Sequence, residues 1–287
     1  MSRMFDRLRH SELAIGTSLI TQGPEWIEIL GYAGLDFVCI DFMISATDWH
    51  QAAEMIRAAR LYGVTPWVRL QGYPWRGSSV PDARLPADVL RALAIGAEGV
   101  TASVNTAEQV EAILRPASDW HRRAYIWQHD PDRSPLAAHI DEGEEPPIVF
   151  PMLESLESVA NLESIFRVPG IKAIFLAMGD LTREMGHPFD DRHPDVRSFV
   201  ARTAALAKQN GVMVFANTMA YLKGTDTPQA AAEAVNWYAN AGISVVWLPS
   251  PWTVVQRYYE KVLGSVDDQK PSRHPLTVEV AARGRRS

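Results

Sequence analysis

Two apolar runs of the chain each end in a single acidic residue. One reads P-I-V-F-P-M-L-E-S and closes on Glu154; the other reads I-K-A-I-F-L-A-M-G-D-L-T and closes on Asp180. An acid at the end of a buried parallel strand stands at the rim of its sheet, where α/β proteins bind ligands. Two such carboxylates on neighbouring strands supply hard oxygen donors for one divalent cation, with water and substrate filling its other positions. The same acids could instead cap the helices that follow them. Other apolar runs end in Asp41, Arg69, Val104, Asn217 and Pro249. Such a set suits a small anionic oxo acid. A cation on Glu154 and Asp180 acts as a Lewis acid on a carbonyl oxygen. Arg69 offers planar donors to a carboxylate or to a developing enolate oxygen. Asp41 orients Arg69 or a metal-bound water from behind, and Asn217 donates to a substrate oxygen. Each has a purely structural alternative: an Arg69–Asp41 ion pair, a helix cap for Asp41, loop backbone groups for Asn217.

The elements that must position these residues alternate from end to end. Eight short apolar runs, at 13–20, 37–41, 66–70, 99–104, 148–153, 172–178, 212–217 and 244–249, are each followed by an amphipathic stretch. Those stretches span 24–33, 47–61 (capped by Thr47 or Asp48), 87–95, 106–114, 156–166, 194–210 (closed by Gly211), 228–240 (closed by Gly242) and 253–263. The segment G-D-L-T-R-E-M-G-H-P reads as a loop. Eight such repeats predict a (β/α)8 barrel with those strand ends at one mouth. The competing open sheet lacks a G-x-G-x-x-G after the first strand. One segment breaks the alternation: 115–147 is rich in charge, proline and histidine, has a short strand-like piece at 125–128, and reads as an irregular insertion too long for a barrel connection. No linker divides the chain, so residues 1–287 are expected to form one domain, with 266–287 a loose or assembly tail.

Bulk properties exclude several classes. Of 287 residues, 47% are hydrophobic and 22% charged, as in an ordinary soluble domain. A net charge of −6 disfavours a nucleic-acid-binding face. The single cysteine, Cys39, excludes an internal disulfide framework and lies in F-V-C-I-D, where packing is its expected role. No apolar run approaches the roughly 20 residues of a membrane span, and no signal-like segment opens the chain. A soluble cytoplasmic protein is expected.

The motifs P-M-L-E-S at Glu154, A-M-G-D-L-T at Asp180, V-R-L at Arg69 and V-C-I-D at Asp41, with N-T-A-E-Q-V at 105–110, resemble the HpcH/HpaI class II aldolases. The resemblance runs from about Gly16 to Val262 and rests on the order and spacing of the motifs. It implies a (β/α)8 barrel that cleaves or forms 4-hydroxy-2-oxo acids through a pyruvate enolate. It also implies a divalent metal (Mg²⁺ or Mn²⁺, with Co²⁺ an option) and a homo-oligomer, typically a hexamer. By the same resemblance Glu154 and Asp180 would be the metal ligands, Arg69 the enolate-stabilising arginine, and the Gly179 amide a donor to the pyruvate carboxylate.

The chain departs from that pattern where protons should move. Family aldolases carry D-G-E-H after the second strand, and its histidine pairs with an aspartate on the third helix. Here the segment is D-F-M-I, which puts Ile44 at the histidine, and Ala94 stands at the aspartate. The glycine-rich P-P-Y-G-x-R-G stretch is missing too, its place taken by 115–147. An isoleucine moves no proton. His50, Tyr73, His129 and a metal-bound hydroxide are candidate replacements, and Tyr73 is also a candidate aromatic over the substrate. Trp75, Trp127 and Trp252, with Met43 and Ile44, suggest a bulkier or more apolar substrate than a sugar acid. The expectation is a metal-dependent carbon–carbon lyase of the oxo-acid aldolase type. An oxo-acid decarboxylase or enolate-addition enzyme, and a non-catalytic metal–carboxylate-binding barrel, are the alternatives.

Overall fold

The computed structural model describes residues 3–21, 23–72, 84–128, 147–219 and 227–266, with 119–128 described by backbone alone. Eight parallel strands close into one barrel in chain order: β1 (Ala14–Leu19), β2 (Phe37–Asp41), β3 (Thr65–Arg69), β4 (Gly99–Ser103), β5 (Ile148–Leu153), β6 (Ala173–Leu176), β7 (Met213–Asn217) and β8 (Val245–Leu248). Closure is the β1–β8 pairing, Ala14 opposite Val245 and Thr17 opposite Leu248. The expected (β/α)8 fold is therefore present.

Successive strand residues point to opposite faces, and one parity fills the barrel. Phe37, Trp67, Phe150, Phe175, Phe215 and Trp247 are buried in one cluster. Phe37 stacks on Trp67 with centroids 4.3 Å apart, and Phe175 stacks on Trp247 at the same distance. Gly99 makes room for this: a Cβ there would stand 2.2 Å from the Trp67 ring. The other parity faces the helices and supplies the second, aliphatic cluster that includes Val38, Ile40, Val68, Val100 and Val246.

Around the barrel run α2 (Pro24–Tyr32), α3 (Trp49–Leu61), α4 (Leu85–Ala94), α5 (Ala107–Gln128), α6 (Leu156–Ala160), α7 (Leu162–Phe166), α8 (Met178–Glu184), α9 (Pro194–Gln209), α10 (Pro228–Asn240) and α11 (Pro251–Ser265). Asp48 caps α3, its carboxylate accepting the Gln51 amide at 2.8 Å in a capping box. Gly211, at φ +70, takes the left-handed position that ends α9.

One element is added to those expected, and three local expectations are corrected. The N-terminal residues form α1 (Arg3–Arg9), which stoppers the base of the barrel with Met4 and Phe5. It is pinned there by Met4 N–H on Thr65 Oγ1 at 3.1 Å and by Arg3 on the Gly31 and Leu35 carbonyls. Residues 115–128 are helical, so the strand-like piece at 125–128 is the end of α5 and the irregular insertion does not begin at 115. Val110, Ile113, Leu114 and Ala117 carry the helical spacing through Pro116. The 156–166 helix is two short ones that meet at Asn161, whose Nδ2 donates to Asn105 O at 2.9 Å. The D-L-T-R-E segment read as loop is α8. Residues 129–146 and the 267–287 tail lie outside the described residues. Among the described residues no helix is long and apolar enough to cross a membrane.

Candidate active site

The interior parity that is aromatic in the middle of the barrel turns polar at its carboxyl end. Asp41 stands two residues past Cys39, Arg69 two past Trp67, Ser103 two past Thr101, and Asn217 two past Phe215. Glu154 follows Phe150 and Met152 on the same parity. Period-2 geometry delivers all of them to one mouth.

Asp41 is fully buried and already spoken for. Its Oδ1 accepts the amides of Met43 at 2.7 Å and Ile44 at 3.0 Å, and its Oδ2 accepts Arg69 Nη2. β2 and β3 pair with Asp41 opposite Arg69, so the strand register itself makes this ion pair. Asp41 thus fixes the β2–α3 turn and the plane of the guanidinium, and it caps that turn rather than α3. Arg69 keeps a second edge: its Nε is buried and has no hydrogen-bond partner among the described residues. Ser103 Oγ and Thr218 Oγ1 share that condition. Buried polar groups are nearly always satisfied, so three orphans at one mouth mark a place for a polar ligand.

Glu154 carries the electrostatic signature of the site. Burial pushes its carboxyl above 4.5, and the negative charges of Asp180 and Glu184 push the same way. The positive Arg69 pulls it down without cancelling the rise. Two carboxylates close enough to feel each other, one of them desolvated, is an arrangement a cation relieves. The donor set is hard oxygen, which fits Mg²⁺ or Mn²⁺.

Asp180 lies in the first turn of α8, just past β6, and its Oδ1 accepts Arg183 Nη1 at 2.7 Å. Arg183 also lies over the Phe189 ring, 5.1 Å from its centroid. Sequence reasoning missed Arg183 because it read this segment as loop; in a helix, Asp and Arg three apart are neighbours. Gly179 precedes Asp180 in the same turn. Asn217 Oδ1 accepts the Met178 amide at 2.8 Å, so the carbonyl side of Asn217 holds the start of α8 in place.

The remaining candidates are dispersed. His50 is exposed on α3. Ile44 is 65% exposed in the turn that Asp41 braces. Ala94 ends α4, whose carboxyl end lies on the side of the barrel opposite the mouth. Trp252 is exposed at the start of α11. Tyr73, Trp75, His129 and the Trp127 side chain lie outside the described residues.

A family model described as HpcH/HpaI aldolase/citrate lyase matches residues 18–246. The hydroxypyruvate/pyruvate aldolase of Rhizorhabdus wittichii is 30% identical over 206 residues, covering 68% of this chain and 77% of that protein. The 2-dehydro-3,6-dideoxy-6-sulfogluconate aldolase of Pseudomonas putida is 26% identical over 211 residues, covering 72% and 78%. Among solved structures, an HpcH/HpaI aldolase from Desulfitobacterium hafniense superposes at TM-score 0.70 with 20% identity, covering 96% of this chain and 100% of that one. Macrophomate synthase superposes at 0.62 with 17% identity, covering 92% and 87%; both likenesses are of fold. The chain belongs to the HpcH/HpaI aldolase/citrate lyase family and is a carbon–carbon lyase.

Proposed function

We propose that the protein is a metal-dependent aldolase that cleaves or forms 4-hydroxy-2-oxo acids, with pyruvate or hydroxypyruvate as the oxo-acid partner. The observation that carries this reading is the convergence of Glu154, Asp180 and the Asp41-braced Arg69 on one mouth. A divalent cation, Mg²⁺ or Mn²⁺, held by Glu154 and Asp180 supplies Lewis-acid polarisation of the oxo-acid carbonyl. Arg69 directs its guanidinium at the oxygen where negative charge develops, a preorganised donor of the kind that lowers barriers most. Asp41 keeps that guanidinium in plane and is a positioning residue. The Gly179 amide and Asn217 Nδ2 bind the substrate carboxylate and an adjacent oxygen. Ser103 and Thr218 complete the polar wall.

The relatives' names support the oxo-acid class: one is a hydroxypyruvate/pyruvate aldolase, another acts on a sulfogluconate derivative. Turnover of a panel of 4-hydroxy-2-oxo acids with Mn²⁺, read as pyruvate or hydroxypyruvate release, tests the assignment. Chelation should abolish release, and Arg69→Ala should lower kcat/KM by about 10²–10³. Full turnover after chelation, with Glu154→Ala unaffected, would sink it.

A second reading is favoured by Ile44 alone. An exposed isoleucine where a proton-moving histidine would stand suits decarboxylation of an oxo acid, or addition of an enolate to an apolar acceptor; neither removes a proton from a hydroxyl. Fast oxaloacetate decarboxylation without retro-aldol cleavage selects it. We also propose a homo-oligomer. Tyr258, Tyr259, Val262 and Leu263 on α11 are exposed, and an apolar cavity of about 660 Å³ opens between α2, α10 and α11, lined by Trp26, Leu30, Val235, Leu248 and Val255. Apolar surface of this kind marks an interface, and sedimentation checks the state.

A further inference from the structure

A second group of metal-competent side chains lies beyond α8. His187, His193 and Asp195 sit in and just after the segment that joins α8 to α9, and their potential ligand atoms all lie within 4.8 Å of one another. His187 Nε2 is 3.5 Å from Asp195 Oδ2, and His193 Nδ1 is 3.7 Å from the same oxygen. Ligands about 2.1 Å from a tetrahedral zinc stand about 3.4 Å apart along each edge. These two separations are close to that edge length.

The framework is prebuilt. His187 N–H donates to Thr182 O at 2.8 Å, Asp190 N–H to His187 O at 3.0 Å, and Arg197 N–H to His193 O at 3.0 Å. Phe189, in the left-handed region at φ 57, donates its amide to Thr182 Oγ1 at 3.0 Å. Thr182 is fully buried and donates in turn to Met178 O at 2.6 Å. Backbone bonds therefore hold both imidazoles on a loop tied to the turn that carries Gly179 and Asp180. Asp195 caps nothing; its side chain is 74% exposed and open to water.

From this geometry we infer that His187, His193 and Asp195 form a site for a borderline transition cation such as Zn²⁺, separate from the Glu154–Asp180 pair. Two imidazoles and one carboxylate select zinc, nickel or cobalt over magnesium, because nitrogen donors suit softer ions. The fourth position belongs to water. The rings stand stacked, with centroids 3.4 Å apart and planes 15° from parallel. An ion lies in the plane of each imidazole it binds, so one ring turns about its Cβ–Cγ bond to open the stack, and that terminal torsion is soft. The Asp195 amide, now 3.3 Å from His193 Nδ1, gives up a long bond in exchange. Bound, the ion clamps the α8–α9 loop and stiffens the turn that holds Asp180.

The test uses the full chain and Zn²⁺ itself. Glu154→Gln/Asp180→Asn removes the acidic pair and should still take up one equivalent of Zn²⁺ by equilibrium dialysis. Adding His187→Ala, or separately Asp195→Asn, should weaken that uptake at least 10-fold, with unchanged melting in chelator as evidence of intact folding. In the unsubstituted protein saturated with Mg²⁺, Co²⁺ should give a visible ligand-field absorption that His187→Ala abolishes. Equal Zn²⁺ uptake with and without His187→Ala, or no Co²⁺ absorption beyond that of the His187→Ala protein, overturns the inference.

Discussion

The middle of the barrel and its mouth are built from the same strands and the same inward-facing row, yet they obey opposite rules. In the middle, Trp67 packs among rings, Phe37 at 4.3 Å, Phe150 at 4.8 Å and Phe215 at 5.4 Å between centroids, and its Nε1 is buried without a hydrogen-bond partner among the described residues. Two residues on, Arg69 is held by one carboxylate and leaves a donor unmatched. The middle is filled by uncharged side chains packed on one another, whereas the mouth gathers charged ones. The difference teaches where to look for chemistry in such a fold: at the step, about 7 Å along the strand, where the inward row turns from rings to charged groups.

That contrast can be broken from either side. Glu154→Gln should give the largest effect, reducing lyase activity to background while raising the melting temperature of the metal-free protein. The sign follows from linkage. The folded carboxyl titrates above its unfolded value of 4.5, so the folded state binds the proton more tightly. The contribution of this one group is then fully present below pH 4.5 and is lost as pH rises through the folded value. In Glu154→Gln the loss is gone, and calorimetry across this window reads it directly. If the substitution destabilised the metal-free protein instead, the Glu154 charge would be compensated by its surroundings without a cation.

Next in size, Trp67→Ala in the middle should cost about 3–5 kcal/mol in denaturant unfolding, from lost transfer energy and an incompletely collapsed cavity. Any protein that remains folded should keep its metal affinity, since Glu154 and Asp180 lie on other strands. Asp41→Asn belongs to the mouth and should lower kcat/KM by about 10–100-fold, the usual cost of losing a supporting partner. Its KM should rise less than its kcat falls, because Asp41 aims Arg69 without touching substrate. The smallest effect is expected from Ser103→Ala, where an unpartnered buried hydroxyl is removed: unfolding free energy should shift by less than about 1 kcal/mol, toward greater stability. A clear destabilisation would mean the hydroxyl is already bonded in the resting protein.

The sequence made the mouth legible because period 2 is strict. Asp41, Arg69, Glu154 and Asn217 could be placed at strand ends from the pattern alone, and the Asp41–Arg69 pair follows from two strands of equal length side by side. What it hid was decided by tertiary contacts. A seven-residue α8 with a glycine in its first turn has little intrinsic helicity; it forms because Asn217, from the next strand, holds its first amide. Arg183 became visible only with that helix. The α1 stopper is likewise a docking event: of R-M-F-D-R-L-R the barrel base buries Met4 and Phe5, with Leu8 partly buried against the same cluster. Residues 115–128 read as part of an irregular insertion, and the aliphatic stripe that runs past Pro116 carries α5 through them.

The pairing of β1 with β8 has a kinetic meaning. Ala14 meets Val245, so the last hydrogen-bonded seam joins segments separated by most of the chain. Contacts that distant form late, after their loop-closure entropy has been met by everything between them. Until then β1 presents an unpaired edge that another strand could claim. Refolding should accordingly be slow and sensitive to protein concentration, and the lyase site should mature only in the step that zips this seam.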